Sequence, residues 1–416
     1  MPDATLYRAL FGATVSLHYL FPLISIGGSF LGLLWIIGRK APNTKHWSQH
    51  TRLMGLTILM GILSGYALEF QLLKVWEGYA DVLHVIYGNA IANEGLLSAA
   101  CLTVSWFFLK WANNKANWLM QLIGSSLLFV STLISAFYIV SLNSWMQHPD
   151  GVLVISNPFG TEFLVDNEEA IFWNPTYVPR LQHVLLGAAL VGVGYGLFVW
   201  GRTPNNARIL GGLLFAVTLT QWVSGHDSAQ QAARYQPEKF AAFEGHFEPY
   251  GPADLVLVGQ PDEEAHQTTG IKLPGFASWL LYGKTDQDVL GLDAYTTRMQ
   301  PDWIQGAYHS YHLMVMVGGL LLLLGLALLL TPSTWAKVLS AIVLPLALFG
   351  NLVGWMAAEV GRQPWAIRGI LTTTDALGNP QKPAWLLAVT VLLLGGCLGL
   401  AWGFAGTLVA SRRANA

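Results

Sequence analysis

Long apolar runs separated by short polar stretches organise this chain, and the few polar residues inside the runs stand out against them. Nine runs of 19 to 27 residues fall at about 11–37, 53–74, 89–110, 118–142, 181–201, 207–225, 308–330, 336–360 and 383–407. Each is long enough, as a helix, to cross about 30 Å of hydrocarbon. The pattern predicts an all-α polytopic membrane protein whose ends lie on opposite sides, because nine is odd. The first run is too long for the apolar core of a signal peptide and holds His18 in its middle, so it reads as a permanent helix.

Composition sharpens this picture. The chain is 53% hydrophobic and only 11% charged, against about 25% charged in soluble domains, which excludes a water-soluble enzyme. A net charge of −2 leaves no basic stripe to follow a phosphate backbone, so nucleic acid is excluded as a partner. Cys101 and Cys397 both fall in apolar runs, and no disulfide framework or cysteine metal site can be built from them. One alternating set of loops carries Arg39, Lys40, Lys115, Arg202, Lys337 and Arg412 and no acidic residue. By the positive-inside rule that set is cytoplasmic, which places the N-terminus outside and the C-terminus inside.

The segment 226–303 holds 12 of the 24 acidic residues and is too long for a passive connection. It divides the chain into residues 1–225 with six spans, an extracytoplasmic loop at 226–303, and residues 304–416 with three spans. The stretch from Pro237 to Phe247 is helix-compatible, and one or two short helices are expected in the loop.

Ionisable residues inside spans are costly and carry a functional hypothesis. Here they are His18, Glu69, Glu94, His183, His309, His312 and Glu359, with Met314 as a possible thioether ligand. His183 and Met314 enter their spans from the same side at similar depth, as a six-coordinate haem requires, while His18 with a carboxylate could leave iron an open face. Intramembrane Glu and His serve proton relays equally well, so a haem protein and a proton-coupled transporter both remain open on these residues alone.

Gly354-Trp355-Met356-Ala357-Ala358-Glu359 runs into Gly361-Arg362-Gln363-Pro364-Trp365. This resembles the signature of subunit I of the cytochrome bd quinol oxidases. Further matches are Arg8 and His18 in the first span, Glu69-Phe70-Gln71, Glu94-Gly95-Leu96, Asn143 with Trp145-Met146-Gln147, and Gln236-Pro237-Glu238-Lys239 through Glu244 in the long loop. The resemblance implies two four-helix bundles plus one peripheral helix, and a quinol:oxygen oxidoreductase of the bacterial cytoplasmic membrane. It implies His183 and Met314 as axial ligands of a low-spin haem b, and His18 and Glu359 as iron ligands of two high-spin haems, b or d. Glu94 would be a carboxylate beside that pair, and Lys239 and Glu244 would meet the quinol. The implied partners are a second subunit of related fold, a possible single-span small subunit, membrane quinol and oxygen.

Each assignment has a plainer counterpart. Trp355 and Arg362 either tune and carry electrons or only pack and pair with haem propionates. Glu69 reads as a cap of the second span or as part of a polar network, and Lys239 and Glu244 as a solvated helix face. The chain also departs from the family pattern. A second carboxylate expected eight residues after Glu94 is Leu102, so protons would need another route, through the partner subunit or a water chain ending at Glu94. The segment His84 to Gly95 lacks the usual aspartate and proline, and His312 stands where an arginine precedes the methionine ligand. The loop is of the short type. These departures motivate a second reading, a b-haem electron-transfer relative without haem d or oxygen reduction.

Overall fold

A computed structural model describes residues 4–38, 45–87, 90–115, 117–157, 160–201, 203–330, 335–379 and 383–414. Among the described residues nine helices are long and apolar enough to cross a membrane. They are α1 (Ala4–Gly38), α2 (Lys45–Lys74), α3 (Ala90–Asn114), α4 (Trp118–Gln147), α5 (Tyr177–Trp200), α6 (Pro204–Tyr235), α7 (Ile304–Leu330), α8 (Ala336–Val360) and α9 (Ala384–Ala414). In hydrocarbon every backbone amide must be satisfied within its own segment, and helices of this length achieve that.

The helices form two rings of four. In the first, α1 packs on α2 and α4, and α3 closes the ring against α2 and α4. In the second, α5, α6, α7 and α8 follow one another around the ring, and α8 returns to α5. The rings join where α1 lies along α5, and α9 sits outside against α2. This is the expected arrangement of two bundles and a peripheral helix. The joint is made by small residues: a Cβ added to Gly27 of α1 would lie 2.8 Å from the Cα of Gly192 of α5. Without a hydrophobic drive between helices in lipid, such close backbone approach is the source of packing energy.

Several helices outrun their apolar cores. α6 continues to Tyr235, well beyond residue 225, because Ser228-Ala229-Gln230-Gln231-Ala232-Ala233-Arg234 is rich in strong helix formers even though it is polar. Helix starts follow local chemistry: Asn117 accepts from the Met120 amide at 3.1 Å to open α4, and Thr203 with Pro204 at the first turn opens α6.

The extramembrane elements gather on one side, called here the loop face. The long loop contains helices Pro237–Glu244 and Phe276–Tyr282, as the sequence predicts. It adds a β-hairpin, Leu255–Asp262 with Gln267–Leu273, that the sequence pattern does not announce. Glycines at 259 and 270 break the alternation that would mark its strands. Gly245 ends the first loop helix in the left-handed conformation (φ 62°). An amphipathic helix, Glu77–Tyr87, lies between α2 and α3 and buries Tyr79, Val82 and Leu83 on one face. A second hairpin, Val152–Asn157 with Gly160–Val165, follows α4.

If the Gly27–Gly192 contact joins the bundles, Gly27→Ala forces backbone apart and should cost about 1–3 kcal/mol, as overpacking does. Gly395→Ala, where nothing lies within 4 Å of the added atom, is the control. Thermal unfolding in detergent should show a lower Tm for the first variant alone.

Candidate functional site

At the loop face the ends of α4, α5 and α8 converge under the loop helix Pro237–Glu244, and the convergence is built from buried charge. Glu359, in the last turn of α8, accepts from Asn143 Nδ2 at 2.9 Å and from Gln147 Nε2 at 3.3 Å through Oε1. Its Oε2 is paired with the Arg362 guanidinium. Asn143 and Gln147 are one turn apart on α4, so a single helix face presents two amides to one carboxylate. Arg180 on α5 donates to the other end of Asn143 at 3.4 Å.

The loop helix is itself buried. Lys239 is 3% exposed, and its Nζ donates to Gln147 Oε1 at 2.6 Å and to Gln236 Oε1 at 3.1 Å. Burial, followed by the Arg180 charge, pushes its amine well below the usual lysine range, with the Glu359 carboxylate acting in the opposite sense. Glu238 is clamped by Arg368 through two bonds of 2.6 and 2.9 Å. Glu244 is 3% exposed, and burial raises its carboxyl to about 7, opposed by a hydrogen bond with the Tyr311 hydroxyl. Its Oε2 has no partner among the described residues. Phe243 stacks flat on Tyr311 at 4.8 Å. The solvated-face reading of this helix is therefore wrong, because both its charged ends point into the protein.

The candidate iron ligands lie inside the bundles. His18 on α1 sets Nδ1 2.9 Å from Ser64 Oγ, which itself donates to the Met60 carbonyl at 2.7 Å. With its proton committed there, Ser64 accepts from His18, and the Nε2 lone pair is left free to ligate. His183 on α5 and Met314 on α7 stand on diagonal helices of the second ring. His183 Nδ1 lies 3.3 Å from Ser224 Oγ, and the Gln221 amide nitrogen lies 3.1 Å from Nε2 and 3.2 Å from Nδ1.

Glycine on a neighbouring helix stands directly against three of the candidate ligands, where a larger side chain would crowd them. A Cβ at Gly65 would lie 3.3 Å from the His18 ring, one at Gly225 3.4 Å from His183, and one at Gly354 2.6 Å from the Met314 sulfur. The Nε atoms of Arg180 and Arg362 are buried without a partner among the described residues. The donor set thus fits porphyrins: nitrogen, thioether and carboxylate ligands for iron, glycine at the ligands, and spare guanidinium donors for propionates. Trp355 lies 6.0 Å from Tyr19, the residue after His18.

The remaining candidates fall elsewhere. The side chain of Glu94, on α3, lies outside the described residues. Glu69 does not cap α2, which runs on to Lys74, and its carboxylate faces Gly95 of α3. Both ring nitrogens of His312 are 2.9 Å from carbonyl oxygens, those of Tyr308 and Val256. Sequence reasoning passed over Arg180, Ser64, Tyr311 and the Glu238–Arg368 pair as functional candidates. The family motifs name Asn143, Gln147, Lys239, Glu359 and Arg362 separately, but nothing in them says that these residues meet in one cluster.

The sequence pattern of the family described as cytochrome bd terminal oxidase subunit I matches residues 6–413. The chain is 27% identical to a putative cytochrome bd menaquinol oxidase subunit I of Bacillus subtilis, covering 91% of this chain and 90% of the relative. It is 25% identical to the cytochrome bd-II ubiquinol oxidase subunit 1 of Escherichia coli, covering 89% of each. Its fold is similar to that of the bd oxidase of Geobacillus thermodenitrificans, with a TM-score of 0.82 over 99% of both chains at 23% identity.

Removing one partner of a buried ion pair leaves an uncompensated charge. Arg368→Ala should therefore destabilise the loop helix by about 3 kcal/mol or more. Hydrogen exchange of residues 236–244 should accelerate in the variant while the membrane helices stay protected.

Proposed function

The chain belongs to the cytochrome bd terminal oxidase subunit I family, and from that premise we propose that it is the haem-bearing subunit of a quinol:oxygen oxidoreductase. The observation that carries this reading is the diagonal placement of His183 and Met314 in one bundle, each beside a glycine. In this reading they hold a low-spin haem b, and His18 and Glu359 hold the two high-spin haems, b or d. Bound haem supplies one-electron carriage and the iron at which oxygen is reduced to water.

The protein's own groups handle the substrate and its protons. Lys239, held by two amide oxygens, presents a donor to a quinol oxygen at the base of the loop. Glu244 takes the hydroxyl proton at Oε2, the atom left without a partner. A carboxyl raised to about 7 suits that task, since proton transfer is most efficient when the base titrates near working pH. Arg180 and Arg362 use their spare Nε donors to hold propionates, which neutralises those carboxylates inside the membrane. Tyr19 and Trp355 pack where the two bundles meet.

The lysine and arginine bias of the loops supports a loop face outside the cytoplasmic membrane of a bacterium, with the C-terminus in the cytoplasm. Quinol protons released outside and oxygen-bound protons taken from inside, with Glu94 on the delivery path, would generate membrane potential without pumping. The family implies a second oxidase subunit. α3 and α9 bury little of their surface in this chain, which leaves apolar faces for that subunit, a single-span small subunit or lipid. A second reading, b-haem electron transfer without oxygen reduction, is favoured by one observation. Leu102, in place of a carboxylate, packs with the core of the first bundle.

A reduced-minus-oxidised spectrum of the purified complex, with quinol-driven oxygen uptake, separates the two. A chlorin band with oxygen loss supports the oxidase, and b-type bands alone without uptake support the second reading. His183→Ala and Met314→Leu should each abolish the low-spin signal, and persistence of that signal in both would refute the ligand pair. The Glu244 carboxyl is protonated below its raised value and is a base above it. Quinol kcat/KM should climb up to about tenfold per pH unit toward about 7 and level off above. In Glu244→Gln that climb should vanish, with the rate lower by about 10²–10⁴.

A further inference from the structure

We propose that Gln147 is a positioning residue that ties the quinol-oxidising loop to the iron-ligating carboxylate, so that occupancy of the one is felt at the other. The inference rests on the reading above, in which Lys239 meets quinol and Glu359 holds iron. Gln147 is the last residue of α4 and is fully buried. Its two amide atoms face opposite partners: Oε1 accepts from Lys239 Nζ at 2.6 Å, while Nε2 donates to Glu359 Oε1 and to the Ala358 carbonyl, both at 3.3 Å.

The orientation of that amide is dictated by its neighbours. A carboxylate can only accept, so the nitrogen end of the amide faces the glutamate and the oxygen end is turned to the Lys239 donor. The amide is thus a polar bridge from Lys239 to Glu359 through one side chain. Lys239 has a second acceptor in Gln236, the residue that joins the end of α6 to the loop helix and so lies close to Lys239 in the chain. Gln147 carries the bond from Lys239 across to α4 and the carboxylate. Glu359, in contrast, keeps Asn143 and Arg362 when Gln147 is lost. Cutting the bridge should release the lysine while the carboxylate stays seated.

A quinol oxygen that accepts from Lys239 Nζ changes the pull of that group on Oε1. Hydrogen bonds in a chain polarise one another, so the change passes to the Glu359 carboxylate. The converse holds by linkage: a change in Glu359 ligation alters the affinity of the loop for quinol by the same factor.

The test uses the purified holo-complex and Gln147→Met, which keeps the side chain's length without its polar atoms. KM for quinol should rise about tenfold or more, as expected for loss of a buried bond to a charged group. kcat should fall by a smaller factor, and haem content should be unchanged. In the parent, a 4-hydroxyquinoline N-oxide, used as a non-oxidisable quinol analogue, should shift the high-spin haem absorption, and in Gln147→Met that shift should disappear. Gln147→Glu retains an acceptor for Lys239, so its KM should stay near the parental value while its high-spin spectrum changes. It serves equally if the methionine variant fails to fold.

An unchanged KM in Gln147→Met, or a parent whose high-spin spectrum ignores the analogue, overturns the bridge. A separate variant isolates the underlying reading. If Lys239→Met leaves KM unaltered, Lys239 does not meet quinol and the functional assignment fails, whatever Gln147 does.

Discussion

One carboxylate inside a membrane helix sets the terms for the loop face of this protein. Glu359 cannot stand ionised in an apolar bundle without partners, and the chain supplies them from three directions. α4 contributes Asn143 and Gln147, the segment after α8 returns Arg362, and Arg180 reinforces Asn143 from α5. Each of those partners brings its own element to the same point. The loop helix is then drawn in because Lys239 completes the acceptor end of Gln147. Charge neutralisation thereby acts beside the apolar packing of Phe240, Ala241, Ala242 and Phe243 on the same loop helix.

The same economy governs the ligands. His18 and His183 belong to different bundles, and the close contact between Gly27 and Gly192 brings their helices together. Glycine against His18, His183 and Met314 removes side-chain volume beside those ligands, and hydroxyl or amide partners meet the histidine rings. Metal-site histidines are commonly oriented by such outer partners, and Ser64 beside His18 Nδ1 and Ser224 beside His183 Nδ1 stand in that position. The departures of this chain respect the arrangement. Leu102 changes the lining of the first bundle, and His312 sits between two carbonyls, but neither displaces a ligand-type residue.

Much of this was legible in the residues themselves. Helix number and approximate ends follow from apolar runs because the bilayer imposes a length and forbids unpaired amides, constraints that act on each segment alone. His18, His183, Met314 and Glu359 stand out because ionisable or ligating groups are conspicuous in apolar runs. The motif around Gly354 to Trp365 supplied the family, and the family supplied the two-bundle arrangement.

What only the tertiary structure decided depends on residues far apart in sequence. By their own spacing Lys239 and Glu244 could equally form a polar helix face, because their burial is set by α6 and α7 packing on the loop helix and not by its own eight residues. The pairing of Glu238 with Arg368 spans 130 positions, and the bond from Lys239 to Gln147 spans 92. Neither residue type nor local spacing marks such partners in advance. The hairpin in the loop was hidden for the same reason, since strand pairing is satisfied across the turn while its glycines erase the local pattern. Crossing the bilayer is a demand on each segment separately and is written in its composition. Neutralising a buried charge is a demand on several segments at once, and only their packing answers it.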